Sequence, residues 1–590
     1  MLGKFIGIDE NFVLVKITID LEKVENLINF YAIIDDGKRK IVGEISNIKE
    51  GIAYINLLGE IINNKFVFGV ILKPSYSSKV SLISPSKIPT IISVDDYSEE
   101  KDLYLGQSSV YENVKIGINI DNFFSGHFAI FGSTGSGKSC SISRIFQNLF
   151  SKSDPIAYKA NIFIFDAYGE YHQAFSKLHE KVSEINFKSY STNLEVNDSE
   201  ILKIPLWLLG VDDIALLLGA EKHSQIPIIE RALKLITVFA RNDDSVISSK
   251  NDIIARAILD ILSSGRPAPQ IRDQIFSVLS YYNTSELNLD TPIFQPGYTR
   301  PLKQCLLIDG TGKIRDMELI MNFLENFLTE NQELALPDGS FKYDLKDLKD
   351  AFDFALIAEG ILNSGKVYDE VNILKVRLHS LVNSEYSTYF NYPKYISRNE
   401  YIKQLLTASN GKKAQIINFN INYIDDRLAK IITKIYSKLL FEYSKSMEKR
   451  ASLPFHIVLE EAHRYVQNDN DKFLLGYNIF ERITKEGRKY GVLLGSISQR
   501  PSELSETSLS QCSNFLIFKM LHPTDVDYIR EMVPNITSNI VKRLRILQPG
   551  NCIAFGSAFK IPVLVKFDLP NPQPSSESCE ISKAWFVEKK

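Results

Sequence analysis

The chain has 590 residues, too many for a single hydrophobic core, so three or four structural units are expected. Hydrophobic residues make up 44% and charged residues 24%, an ordinary balance for a soluble globular protein. The net charge of −3 gives no whole-chain electrostatic case for nucleic acid, although a ring can line its channel with lysines while its outside stays acidic.

Cys140, Cys305, Cys512, Cys552 and Cys579 are scattered and odd in number, with no metal-ligand spacing. That pattern argues against a disulfide framework or a zinc site and fits a reducing cytoplasm. No apolar run approaches the ~18 residues of a membrane span, and the N-terminus has no leader pattern. A cytoplasmic protein with no membrane segment is expected.

Residues 1–95 read as a small β-barrel. FVLVKITI, YAIIDD, KIVGEISNI, GIAYINLLGEI and FVFGVIL are short apolar or alternating runs between Gly, Asn, Asp and Lys turns. The Pro-, Ser- and acid-rich stretch SLISPSKIPTIISVDDYSEEKD reads as a linker. From His127 the pattern becomes α/β: HFAIF predicts a buried strand, GSTGSGKS a glycine-rich loop, SCSISRIFQNLF a helix, and ANIFIFDAYGEY a second strand ending at Asp166.

Residues 205–400 carry apolar positions at helical spacing, as in PIIERALKLITVFAR and NDIIARAILDIL, and read as a helical unit. The α/β pattern then resumes over 401–568. AQIINFNI, FHIVLEEAH, VLLGSISQ and NFLIFKML predict strands, DDRLAKIITKIYSKLLFEYSKSMEK and GYNIFERITKEGRKYG predict helices, and NCIAFGSA with IPVLVKF predicts a closing hairpin. Residues 569–590, with their prolines and lack of period, read as an extended arm or a disordered tail.

Gly132-Ser133-Thr134-Gly135-Ser136-Gly137-Lys138-Ser139 fits the phosphate-binding loop pattern at every fixed position. The glycines let successive N–H groups turn inward, Lys138 brings a cation to the β- and γ-phosphates, and the Ser139 hydroxyl suits Mg²⁺. The helix that follows presents its positive end. This makes ATP and Mg²⁺ the expected cofactors.

Hydrolysis needs in addition a carboxylate beside the cation and a base for water. The strand end IVLEEAH supplies Glu460 for the cation and Glu461 for the water. Gln499, at the end of VLLGSISQ, can sense the γ-phosphate. Glu461 lies 323 residues after Lys138, where a compact P-loop core needs on the order of 100. The helical stretch is therefore an insertion within the nucleotide domain.

GSTGSGKS, DAYGEY, and LEEAH followed by EGRKYG and SQRPSE together resemble the HerA branch of the HerA/FtsK ATPases. IPLWLLGVDD, the N-terminal barrel and the GSAFKIPVLVKF ending extend that resemblance over nearly the whole chain. It implies an α/β fold: a RecA-like P-loop ATPase core split into residues 96–204 and 401–568 by a large helical insertion, behind a barrel like the one typical of these proteins.

The resemblance also implies an ATPase acting as a DNA translocase or helicase. Its partners would be its own copies in a homo-hexamer, double-stranded DNA, and a NurA-like nuclease or a defence effector such as a nuclease or sirtuin-like NADase. DNA end processing or antiphage defence is the implied setting.

Carried over by residue, Asp166 and Glu170 sit near the nucleotide, Glu461 is catalytic, Gln499 is the sensor, and Arg488 in EGRKYG is the arginine finger into the next subunit. Arg482 and Arg500 are rival fingers. Glu460 stands where P-loop ATPases more usually have Asp, and Gly126 where some relatives have Arg. Lys412, Lys413 and the loop 467–472 are candidate DNA contacts. The alternative reading is an ATP-regulated ring scaffold that recruits and activates an effector without net translocation.

Overall fold

A computed structural model describes residues 1–9, 12–19, 27–95, 97–98, 100–195, 199–241, 246–329, 334–358, 365–532, 538–575 and 581–586. Cys579 lies outside them. The chain divides into two compact units. One comprises Met1–Ile201, Ile402–Asp469 and Asn478–Lys590; the other comprises Leu202–Tyr401 and Asn470–Tyr477.

The first unit opens with strands β1 (Gly3–Ile8), β2 (Phe12–Ile17), β3 (Tyr31–Asp35), β4 (Lys40–Lys49), β5 (Ile52–Ile62), β6 (Lys65–Phe68) and β7 (Lys79–Leu82). They pair in the order β2-β1-β7-β3-β4-β5-β6, and β2 also pairs with β5. Six strands thus close into a barrel, and β6 extends from it as a hairpin partner of β5. Closure leaves those six strands without a free edge. Alternate residues fill the interior, among them Val13, Val15, Ile34, Ile41, Ile55 and Val80.

Two barrel strands, β1 and β7, are absent from the sequence reading. Each is short, and β7 runs into the stretch read as a linker. That stretch is not free of the fold. Ile88, Ile91 and Ile92 are buried on a short helix, Ile88–Ile92. They belong to a core that also holds Tyr31 and Val42 of the barrel and Phe128 and Ile130 of the sheet behind it. The barrel is further tied to this sheet domain by the Tyr31 N–H donating to Tyr111 Oη at 2.6 Å and by Arg543 paired with Glu44 at 2.8 Å.

The sheet is built from β8 (Asp102–Ser108), β9 (Lys115–Asn119), β10 (His127–Phe131), β11 (Ile162–Asp166), β12 (Phe187–Ser191) and β13 (Glu200–Ile201). A small hairpin in the other unit, β14 (Pro292–Gln295) with β15 (Tyr298–Pro301), comes next in the chain. The sheet then continues with β16 (Ile416–Asn420), β17 (Phe455–Leu459), β18 (Val492–Ser498), β19 (Cys512–Ile517), β20 (Asn551–Gly556) and β21 (Val563–Lys566).

Their order is β13-β12-β16-β11-β17-β18-β10-β19-β20-β21-β8-β9. Every pair from β13 to β19 is parallel, and every pair from β19 to β9 is antiparallel. The parallel strands β10, β11 and β17 are apolar along nearly their whole length because helices cover both faces. Strands β8 and β9 went unread, since they lie between the supposed linker and the first strong apolar run.

The second unit is mostly helical. Its helices include Val211–Leu218, Ile226–Phe239, Ile247–Leu262, Ala268–Tyr281, Met317–Glu325, Leu345–Ala358 and Gly365–Val382. Phe239, Tyr282 and Phe354 pack ring on ring at 4.9–5.6 Å. Asn470–Tyr477 belongs to this unit, with Phe473 against His223 and Tyr477 Oη donating to Asp212 at 2.8 Å.

The EGRKYG motif has a packing reason. A Cβ added at Gly487 would lie 2.2 Å from the backbone oxygen of Val492, so the helix Ile479–Tyr490 approaches β18 closely only with glycine there. Gly491, at φ +78°, ends that helix in the left-handed region. Gly487→Ala is expected to cost about 1–3 kcal/mol of stability through overpacking, seen as a lowered thermal midpoint. A midpoint equal to the wild type would contradict the close contact.

Candidate active site

The P-loop follows β10. Gly135 and Gly137 sit at φ +71° and +109°, which side-chain-bearing residues rarely adopt. A Cβ at Gly132 would strike Ser136 Oγ at 2.6 Å and Phe518 Cβ at 2.7 Å. The loop therefore wraps tightly and delivers the chain into the helix Lys138–Phe150. Lys138 Nζ donates to the backbone oxygens of Gly132 at 2.8 Å and Ser133 at 3.2 Å, folded back over the cradle. Ser136 Oγ is buried with no hydrogen-bond partner among the described residues. A glycine-lined cradle with a lysine across it and an unsatisfied buried hydroxyl fits a phosphate chain.

Four carboxylates gather at the neighbouring strand ends. Asp166 closes β11 and is fully buried. Its oxygens accept from the N–H groups of Gly169 (2.7 Å), Glu170 (3.0 Å) and Tyr171 (3.0 Å), and from Asn418 Nδ2 (3.2 Å). Asp166 thus shapes the DAYGEY loop from within and also borders the Glu460 carboxyl, while Glu170 lies next to Ser139. Burial raises the Glu170 carboxyl above its ordinary range, and the hydrogen bond from Ser139 opposes that rise.

Glu460 and Glu461 follow β17, and each is only 4% exposed. Glu460 Oε1 accepts from Ser139 Oγ and Tyr171 Oη, both at 3.4 Å, while Oε2 accepts from the Ala167 N–H at 3.2 Å. Burial, with Asp166, Glu170 and Glu461 close by, holds the Glu460 carboxyl well above the usual carboxylate range. Such crowding favours a cation. No group of three or more His, Cys, Asp or Glu side chains able to hold a metal alone exists among the described residues. A hydroxyl, one carboxylate, water and substrate phosphates are the ligand set that suits Mg²⁺.

Glu461 sits at φ 48° and ψ 47°, the left-handed region. This is a costly backbone for a non-glycine residue and is typical of functional sites. Its Oε1 accepts from Gln499 Nε2, and Gln499 Oε1 accepts from Thr134 Oγ1 at 2.5 Å. A continuous link thus runs from the P-loop through Gln499 to Glu461. On the other side His463 Nδ1 lies 3.3 Å from Glu461 Oε2 and 3.0 Å from Ser498 Oγ. Burial lowers the His463 pKa, an effect that Glu461 partly opposes. The sequence reading gave His463 and Thr134 no part in this link, although the EEAH spacing placed His463 two residues past Glu461.

Lys138 answers these acids with the one cation at the cradle's centre. Burial lowers its pKa, and Glu461, Glu460 and Glu170 raise it.

The arginines separate by position. Arg500 follows Gln499 on the P-loop side of the sheet, pairing with Glu503 at 2.9 Å. Arg482 lies over the Phe441 ring at 5.5 Å and 3.8 Å from Glu486. Arg488 is exposed in the last turn of the helix Ile479–Tyr490, just before β18 begins. There it is felt by His127, at the start of β10. The starts of parallel strands lie at the edge opposite their ends, so Arg488 is remote from its own chain's P-loop.

Of the supposed DNA contacts, Lys413 is turned inward. Its Nζ donates to Ala160 O at 2.6 Å, and burial lowers its pKa to about 8. It is no surface cation. Asp469, in the loop after β17, accepts from Lys434 at 2.5 Å and Asn478 Nδ2 at 3.1 Å, so that part of the loop is pinned.

Residues 103–292 match the family model for the central domain of helicase HerA. A probable helicase of Methanocaldococcus jannaschii is 25% identical over 562 residues, covering 92% of this chain and 87% of that protein. The DNA double-strand break repair helicase HerA of Pyrococcus furiosus is 21% identical, covering 88% and 77%. Among solved structures, the bacterial conjugative coupling protein TrwB aligns with a TM-score of 0.41 at 10% identity, covering 84% of this chain and 94% of that one. No described helix is long and apolar enough to cross a membrane. With the P-loop cradle, the Glu460–Glu461 strand end and the bridging Gln499 in one α/β sheet behind a closed barrel, the chain is a P-loop ATPase similar to the HerA helicases.

Proposed function

We propose that this ATPase is a ring-forming translocase on double-stranded DNA, a homo-hexamer that works beside a nuclease or other effector in DNA end processing or defence. One observation supports it most: Thr134, Gln499 and Glu461 are joined at the strand ends, while Arg488, the arginine the EGRKYG motif suggests as a finger, stands at the opposite edge. A site that receives its arginine from a neighbour requires a neighbour. The likeness to DNA double-strand break repair helicases adds the DNA.

In this reading, residues 132–139 hold the phosphates of ATP, and Ser139 with Glu460 would hold Mg²⁺, which would supply charge neutralisation at the phosphates. Glu461 takes a proton from the water that attacks the γ-phosphorus as the bond to ADP breaks. Gln499, already joined to Thr134 and Glu461, reports the state of the γ-phosphate to the water-activating group. Arg488 of the adjacent copy neutralises the transition state, a contribution of about 10³–10⁵ in rate.

Lys138→Ala is expected to abolish hydrolysis, and full retained activity would refute the cradle. Glu461→Gln should lower kcat by roughly 10²–10⁴ while leaving nucleotide binding intact; loss of binding instead would make Glu461 a ligand of the nucleotide. Mixed Arg488→Ala and Glu461→Gln subunits should partly recover ATPase, whereas no recovery at any ratio excludes a finger in trans. Duplex DNA should stimulate the wild-type ATPase. Unchanged turnover with and without duplex, together with a co-purifying effector, would instead identify a regulated scaffold.

A further inference from the structure

On the outer side of the Glu461–Gln499 contact lies a second polar cavity, of about 650 Å³. Its size falls within the range of ligand pockets. No P-loop residue lines it. Its charged walls are Arg427, Lys430, Arg464 and Arg500 against two carboxylates, Asp426 and Glu503, and Lys430 also pairs with Asp469 behind the wall at 3.2 Å. The cations come from three separate places: the helix Asp426–Lys445, the turn after β17 and the end of β18.

The two carboxylates are exposed, at 81% and 40%, and pair with Arg464 and Arg500 at the rim. Pairs of this kind are weak and readily exchanged for a stronger anion. Two further residues of the wall, His463 and Gln499, touch Glu461 itself.

We infer that this cavity is a second anion site, taking a backbone phosphodiester of duplex DNA, and that His463 and Gln499 transmit its occupancy to Glu461. Phosphate recognition by several spaced cations without base contacts is what a sequence-indifferent motor requires. Arg464 and Arg500 directly adjoin the turn and strand end that hold His463 and Gln499. Drawing those arginines onto a phosphate moves Gln499, which hydrogen-bonds Glu461 Oε1, and His463, 3.3 Å from Glu461 Oε2, and so frees the carboxylate for water. The inference rests on the translocase reading. His463 is a positioning residue here, since it acts through Glu461.

The test uses the full-length protein, a short fluorescein-labelled duplex titrated at several KCl concentrations, and ATPase assays with and without that duplex. The Arg427→Ala/Lys430→Ala pair should lower the slope of log affinity against log salt by about one to two and cut duplex stimulation at least about five-fold. Arg427→Lys/Lys430→Arg should restore both, which separates lost charge from lost folding. His463→Gln should keep wild-type duplex affinity and salt slope but lose stimulation.

A wild-type slope and full stimulation in the double alanine variant overturn the site, and full stimulation in His463→Gln overturns the transmission. If inorganic phosphate at matched ionic strength reproduces the stimulation without DNA, the ligand is free phosphate and the DNA assignment falls. A wild-type protein that neither binds duplex nor responds to it overturns the translocase reading and this site together.

Discussion

Strand β18 runs between β10, which carries the P-loop, and β17, which carries Glu460 and Glu461. Parallel pairing on both sides brings the ends of all three strands to one edge. Gln499, the first residue past β18, then spans the gap, with Thr134 on one side and Glu461 on the other. The close packing of the helix Ile479–Tyr490 against β18, permitted by Gly487, keeps the middle strand in place. The geometry of the catalytic edge thus depends on a strand whose own residues do no chemistry.

The same edge concentrates negative charge. Glu170, Glu460 and Glu461 act on Lys138, Asp166 lies against Glu460, and burial holds Glu460 and Glu170 above their ordinary pKa values. Asp166 tolerates its burial because three backbone N–H groups and an amide satisfy it. Glu460 has weaker, longer hydrogen bonds and is the acid that a cation would relieve most. Glu461 carries backbone strain instead, paid for by the sheet beneath it. Three neighbouring acids therefore differ in setting: one is satisfied by its own loop, one is crowded and weakly hydrogen-bonded, and one is held in a strained backbone.

Much of the site was legible in the chain. Glycine spacing, a lysine at the fixed place of the loop pattern and an apolar strand ending in two acids are local patterns, and local patterns are readable in sequence. Spacing alone predicts that the helical stretch interrupts the nucleotide domain, and the second compact unit is bounded by Leu202 and Tyr401 with one returning segment, Asn470–Tyr477. That returning segment was not legible, because its place depends on contacts such as Phe473 with His223. The barrel strands β1 and β7 and the sheet strands β8 and β9 were missed for a similar reason. None of them carries the continuous apolar run of β10 or β11, and β7 and β8 pair with strands far away in the chain, β3 and β21.

The amino-acid sequence by itself determined the chemical inventory: a phosphate cradle, paired acids, a strand-end glutamine and a family. Residue type and local spacing carry that information. Tertiary structure decided what each group touches. It turned Asp166 onto its own loop, buried Lys413 against Ala160 O, set His463 against Glu461, and placed Arg488 at the edge away from its own P-loop. Strand order and packing fix these relations, and neither is written in any one stretch of the chain.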